Sequence, residues 1–260
     1  MNKQPWALVL GASSGFGEAA SIELARAGMN IFGVHMDRRE TLPHAEAVSR
    51  QVRELGREAV FFNGNAADET RRKHALDAIR ARLADGAGTV RVLLHSLAFG
   101  ALKPLTGDGA VTKKQLELTC DVMGHSLVCW VQDLLAAGLM EQGARIFAMT
   151  SGGGRRAIPL YGPVGAAKAV LEAHIRQLSL ELAPLGITAN AIMAGVTETP
   201  ALRAIPGHEK LVEFARMRNP HGRLTRPEDV ARCIAVLAQE GTYWMTGNTI
   251  RVDGGEDTVG

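Results

Sequence analysis

The chain of 260 residues has only three cysteines, Cys120, Cys129 and Cys233, and no C-x-x-C pair. Such spacing excludes a disulfide framework and a thiolate zinc knot, and it fits a reducing compartment. No apolar run reaches membrane-spanning length. Met1 to Pro5 is a short polar lead rather than a signal peptide, so a cytoplasmic protein is expected. Charge of one sign is also lacking: 29 basic residues face 27 acidic ones, net +2. That balance gives no general pull toward nucleic acid or membrane. Repeats, low-complexity stretches and dividing linkers are absent, which leaves residues 1–260 as one domain.

What is present is an alternation of short apolar runs and longer helical patterns, with 46% hydrophobic residues and 29 glycines. Strands are expected near Trp6–Leu10, Ile31–His35, Ala59–Phe62, Val90–His95, Arg145–Met149, Thr188–Met193 and Thr249–Val252. Their polarity is continuous rather than alternating, as in strands buried on both faces. Helices fill the gaps at Gly15–Ala27, Ala45–Leu55, Glu69–Leu83, Thr112–Met140, Val164–Leu182, His208–Met217 and Pro227–Ala238. With right-handed crossovers, this order predicts an α/β fold, a Rossmann-type doubly wound parallel sheet. Two irregular segments, Gly100–Val111 and Val196–Leu224, follow strands at their carboxyl ends, where ligands of such sheets bind.

The first strand runs into Gly11-Ala12-Ser13-Ser14-Gly15-Phe16-Gly17, and a helix follows. Glycines in this register let backbone approach a pyrophosphate, with helix N-terminal amides facing the anion. At the end of the second strand, dinucleotide enzymes that use NAD hold the adenosine ribose with an acidic side chain. Counting places His35 there, with Met36 next and Asp37 two beyond. Arg38 and Arg39 can clamp a 2′-phosphate bidentately, so NADPH rather than NADH is expected. The opposing possibility is that Asp37 turns back to the ribose and the arginines are simply solvated.

Downstream, Ser151 follows a strand, and Tyr161 and Lys168 lie seven positions apart in LYGPVGAAKAVLEA. The set resembles the short-chain dehydrogenase/reductase family along essentially the whole chain. Most members place the tyrosine four residues before the lysine; here that position is Val164, which cannot ionise. The seven-residue step, the Ala157-Ile158-Pro159-Leu160-Tyr161 run and His95-Ser96-Leu97-Ala98-Phe99 are similar to the enoyl-thioester reductase branch. So is Asn190-Ala191-Ile192-Met193-Ala194-Gly195. The resemblance implies reduction of the carbon–carbon double bond of a trans-2-enoyl thioester, on acyl carrier protein or coenzyme A, in fatty acid or polyketide assembly. It implies an oxyanion donor role for Tyr161 and a ribose-holding role for Lys168. Asn65 and Ala66 would bracket the adenine, Ser96, Leu97 and Ala98 would underlie the nicotinamide ribose, and Ala194, Gly195, Val196 and Thr197 would meet the carboxamide. No metal is called for.

Two departures from the family pattern stand out. The second aromatic of many enoyl reductases is missing, which leaves Ser151 as a second donor or as a polar residue in a glycine-rich bend. TCDVMGHSLVCW also lacks the asparagine of the proton relay found in many relatives, which counts against ordinary alcohol oxidation. The competing readings are a carbonyl or alcohol reductase of the same fold and a non-catalytic NADP sensor. By resemblance a homotetramer or homodimer is expected.

Overall fold

The computed structural model describes residues 4–86 and 88–259, so the first three residues of the polar lead lie outside the described residues. Seven strands form one sheet: β1 (Gln4–Leu10), β2 (Asn30–His35), β3 (Ala59–Asn63), β4 (Gly88–His95), β5 (Arg145–Ser151), β6 (Thr188–Ala194) and β7 (Thr249–Val252). Their order is β3-β2-β1-β4-β5-β6-β7, and all six pairings are parallel. The order reverses direction between β1 and β4, so the carboxyl edge opens into a crevice there.

Helices α1 (Gly15–Arg26), α2 (Leu42–Glu54), α3 (Glu69–Arg82), α4 (Lys113–Cys120), α5 (Ser126–Ala136), α6 (Gly162–Glu181), α7 (Pro200–Arg203), α8 (His208–Arg218) and α9 (Pro227–Leu237) supply the crossovers and the loop elements. Side chains alternate along each strand, so one strand feeds two cores. Trp6, Leu8 and Leu10 of β1 enter the layer with Ile79 of α3, Trp130 of α5 and Ile175 of α6. Ala7 and Val9 enter the opposite layer with Leu24 of α1, Val52 of α2 and Ile234 of α9. Burial on both faces is the reason the strands read as unbroken apolar runs.

The helix expected over Thr112–Met140 is interrupted and shorter. Thr112 caps α4 with its side chain on the Gln115 amide, a π-helical turn spans Asp121–His125, and α5 ends at Ala136. Gly138, at φ 65, adopts a left-handed conformation that closes the helix end. Periodicity alone does not register a single wide turn within an apolar helix. The four-residue α7, capped by Thr199 on the Leu202 amide, is too short to show any period. Among the described residues, no helix is long and apolar enough to cross a membrane.

Candidate active site

The glycine turn fits a dinucleotide by shape. A methyl on Gly17 would meet the Gly11 carbonyl oxygen at 1.9 Å, and one on Gly11 would meet that of Ser96 at 2.3 Å. Gly15 has φ +57 and faces the Thr199 methyl, at 3.2 Å from a Cβ placed there. Ser14 caps α1 without a side-chain hydrogen bond, so its hydroxyl does not occupy the first-turn amides that would face a phosphate. Ser13 and Phe16 flank the same turn and are partly buried.

At the end of β2, the residue reached by counting along the sequence is buried. His35 is 5% exposed, and its Nδ1 lies 2.8 Å from Asp37 Oδ2, so the imidazole sits under the carboxylate rather than at the ligand surface. Burial pushes the Asp37 carboxyl up, but hydrogen bonds with Ser13, Thr41 and His35 outweigh it and hold the pKa below its ordinary value. Asp37 thus joins β2 to the glycine turn as an anion. Arg38 and Arg39 are exposed, and their guanidinium groups have no partner among the described residues.

Beyond β3, Asn65 Oδ1 accepts the Ala67 amide at 2.9 Å and the Ala66 carbonyl accepts Trp130 Nε1 at 2.9 Å. These bonds fix the shape of the turn. The Ser96-Leu97-Ala98 segment leaves β4 with the Ser96 amide bonded to the Leu10 carbonyl, directly beside the glycine turn. After β6, the Val196 amide donates to Glu256 Oε2 at 3.0 Å, and Thr197 Oγ1 turns inward to the Gly195 carbonyl at 2.9 Å. Ala194 pairs with Ser151 across β5 and β6, which brings the two loops to one edge.

Tyr161 stands at the entrance of α6, and seven residues of helix are close to two turns, so Lys168 leaves the same face about 10 Å further along. Ser151 Oγ lies 3.2 Å from the Tyr161 hydroxyl. Burial pushes the phenol pKa up, and the Ser151 contact opposes this only in part. The phenol is therefore protonated at neutral pH and is a donor. Lys168 is 5% exposed and donates to the Met149 carbonyl at 2.7 Å and the Leu97 carbonyl at 3.4 Å. An ammonium has three N–H groups, so one remains for a ligand. Burial lowers its pKa to about 8, with Glu172 opposing. Val164, at the tyrosine position of most family members, is buried in an apolar cluster with Val122, Met123 and Ala167.

His95 lies under this group. Ser126 Oγ gives its proton to the Val122 carbonyl at 2.8 Å, so it accepts from His95 Nε2 at 2.9 Å. Nδ1 is then a buried acceptor without a partner among the described residues. Burial first, and then Lys168, push the imidazole pKa down to about 3. It is neutral and takes no proton at working pH. Beside Tyr161 a cavity of about 310 Å³ is walled by Pro104, Leu105, Ile158 and Leu160, with Lys103 at its edge. Its apolar walls suit an acyl chain. Reading the motifs included Glu172 in the run after Lys168 without giving it a role, which its i,i+4 spacing from Lys168 on a helix could have suggested.

The family model described as enoyl-(acyl carrier protein) reductase matches residues 11–256. The chain is 32% identical to an enoyl-acyl-carrier-protein reductase (NADH), FabI, of Nostoc sp., over 78% of this chain and 76% of that one. It is 31% identical to a protein of Streptomyces coelicolor named as a ketoacyl reductase, over 96% and 95% of the two chains. The crystal structure of an enoyl-acyl-carrier-protein reductase (NADH) from Aquifex aeolicus superposes with a TM-score of 0.84 at 23% identity, covering 99% and 97%. Glycine turn, parallel sheet and Tyr161–Lys168 face agree with that likeness, and the chain belongs to the short-chain dehydrogenase/reductase family, in its enoyl-(acyl carrier protein) reductase group, as a nicotinamide-dependent oxidoreductase.

Proposed function

We propose that the protein reduces the carbon–carbon double bond of a trans-2-enoyl thioester, carried on acyl carrier protein or coenzyme A, in fatty acid or polyketide assembly. A bound reduced nicotinamide supplies the hydride. As the β-carbon of the substrate is reduced, negative charge develops on the thioester oxygen. A donor aimed at that oxygen stabilises the transition state more than the ground state. The Tyr161 hydroxyl takes this role, protonated because it is buried. Lys168 uses its remaining N–H on the nicotinamide ribose hydroxyls. The observation that carries the reading is Val164: the position a ketone reducer would need for its tyrosine is occupied by an apolar core residue.

Ser151, at 3.2 Å from Tyr161, serves as a second donor. The same contact favours a second reading, a carbonyl reductase in which serine and tyrosine share the substrate oxygen, and the Streptomyces coelicolor relative is named accordingly. Following nicotinamide absorbance with crotonyl-CoA and with acetoacetyl-CoA separates the two. Turnover of the enoyl substrate, falling roughly 10²–10³-fold in Tyr161→Phe with cofactor affinity kept, is the expected result. Ketone turnover without enoyl reduction would replace the first reading by the second.

For the cofactor, the sequence pointed to NADPH through Arg38 and Arg39. The geometry of Asp37 supports NADH: an anion tied to Ser13 of the glycine turn suits ribose hydroxyls and repels a 2′-phosphate. The relative from Nostoc sp. is named for NADH as well. We adopt NADH, with NADPH as the alternative that the two free arginines would serve. Association into a homodimer or homotetramer is proposed through α4 and α6, where Leu118 and Leu180 are 43% and 69% exposed. Work in the cytoplasm would keep the three free cysteines reduced.

A further inference from the structure

Glu172 takes no part in the reduction as derived above. It lies four residues after Lys168 in α6, so the two side chains leave one face of the helix a turn apart. It is 5% exposed. Its Oε1 accepts a hydrogen bond from Thr150 Oγ1 at 2.8 Å, and its Oε2 accepts from both Nε and Nη2 of Arg155 at 3.2 Å. Thr150 precedes Ser151 at the end of β5, and Arg155 belongs to the bend that leads to Tyr161. One buried carboxylate therefore joins the three pieces of chain that carry Ser151, Tyr161 and Lys168. Stability alone is a poor reason for it, since well-packed apolar residues commonly match or exceed a buried ion pair.

We propose that Glu172 is a positioning residue for the cofactor-holding lysine: it fixes the end of β5 and the glycine-rich bend against α6 and keeps an anion one helical turn from the Lys168 ammonium. The inference rests on the reading that Lys168 holds the nicotinamide ribose. Lys168 is faced by His95 from β4, by Glu172 from its own helix, and by the carbonyls of Leu97 and Met149. Arg155, from the bend, faces Glu172. His95 is neutral near pH 7, so Glu172 and Arg155 set the balance of charge. Lys168 loses its proton as pH rises through about 8, and Glu172 opposes that loss.

The experiment is a titration of the full-length protein with NADH, followed by nicotinamide fluorescence across a pH series, with melting temperatures recorded alongside. Wild-type affinity is expected to fall as pH rises through about 8. Glu172→Gln keeps an acceptor for Thr150 but removes the charge, so the fall moves down by about one pH unit, and affinity above that point drops about tenfold. Glu172→Asp returns the midpoint toward wild type. Arg155→Gln, at a side chain 46% exposed, removes the opposing cation and moves the midpoint up. Lys168→Met is the control: if it leaves the pH dependence intact, the reading of Lys168 fails. With that control behaving, a folded Glu172→Gln protein with the wild-type midpoint overturns the proposal. Should Glu172→Gln not fold, an unchanged midpoint in Arg155→Gln overturns it.

Discussion

The two ends of the crevice present themselves to a ligand by different means. Between β1, α1 and β2 the surface is mostly backbone, with glycine positions that have no space for a methyl and a single carboxylate, Asp37, bonded to the turn. Between β4, β5 and α6 the surface is side chain, and His95, Tyr161, Lys168 and Glu172 are drawn together under partial or full burial. The first region is sensitive to added atoms, and the second to altered charge. Proton affinities are shifted at both ends, but for different reasons: hydrogen bonds lower that of Asp37, while burial moves those of His95, Tyr161 and Lys168.

The largest test of that contrast is Gly17→Ala. A Cβ at 1.9 Å from the Gly11 carbonyl forces the turn apart, so a loss above about 4 kcal/mol is expected in chemical denaturation. A folded variant with wild-type NADH affinity would break the comparison at its first term. Next comes the acid limb of stability. His95 titrates at 6.5 when unfolded and near 3 when folded, so its contribution is complete above 6.5 and is lost as pH falls toward 3. By about pH 4 the wild type should have lost about 3 kcal/mol that His95→Asn does not lose.

Lys168 works in the opposite sense. Its folded pKa of about 8 lies below the unfolded 10.5, so keeping it charged weakens the fold below pH 8, and the cost fades as pH rises toward 10.5. Lys168→Met is therefore expected to gain about 2 kcal/mol at pH 7 while losing turnover, which melting curves and an activity assay check together. The smallest effect sharpens the other end: Asp37→Ala should shift the NADH-to-NADPH preference about tenfold toward NADPH, roughly 1.4 kcal/mol. Unchanged preference would assign the choice to Arg38 and Arg39.

The inner strands were legible because burial on both faces leaves apolar runs; the edge strands β3 and β7 are only partly buried. The glycine turn was legible because its spacing is a steric requirement. The π-helical turn at Asp121–His125 was not, since one extra residue within an apolar helix leaves no gap in the pattern. At the site, Tyr161 and Lys168 were singled out by resemblance to the family pattern, and α6 carries Lys168 with Tyr161 at its entrance. His35 was expected at the ribose by counting, which carries no information about burial: it is 5% exposed, and its Nδ1 lies against Asp37 Oδ2. Glu172 stood inside the LYGPVGAAKAVLEA run but was given no role. Its meaning depends on Thr150 and Arg155, which lie 22 and 17 residues away in sequence and meet it only in the folded chain.

Leu160 is the one described residue other than glycine with a left-handed backbone, at φ 62, and it immediately precedes Tyr161. An ordinary side chain held there costs about 1–2 kcal/mol, so this peptide sits above a relaxed alternative that the surrounding walls deny it. Loosening those walls, by heat or by a distant cavity, releases the kink before it melts the sheet. Warming should thus silence the enzyme while its strands are still paired, with the phenol as the first part of the molecule to lose its aim.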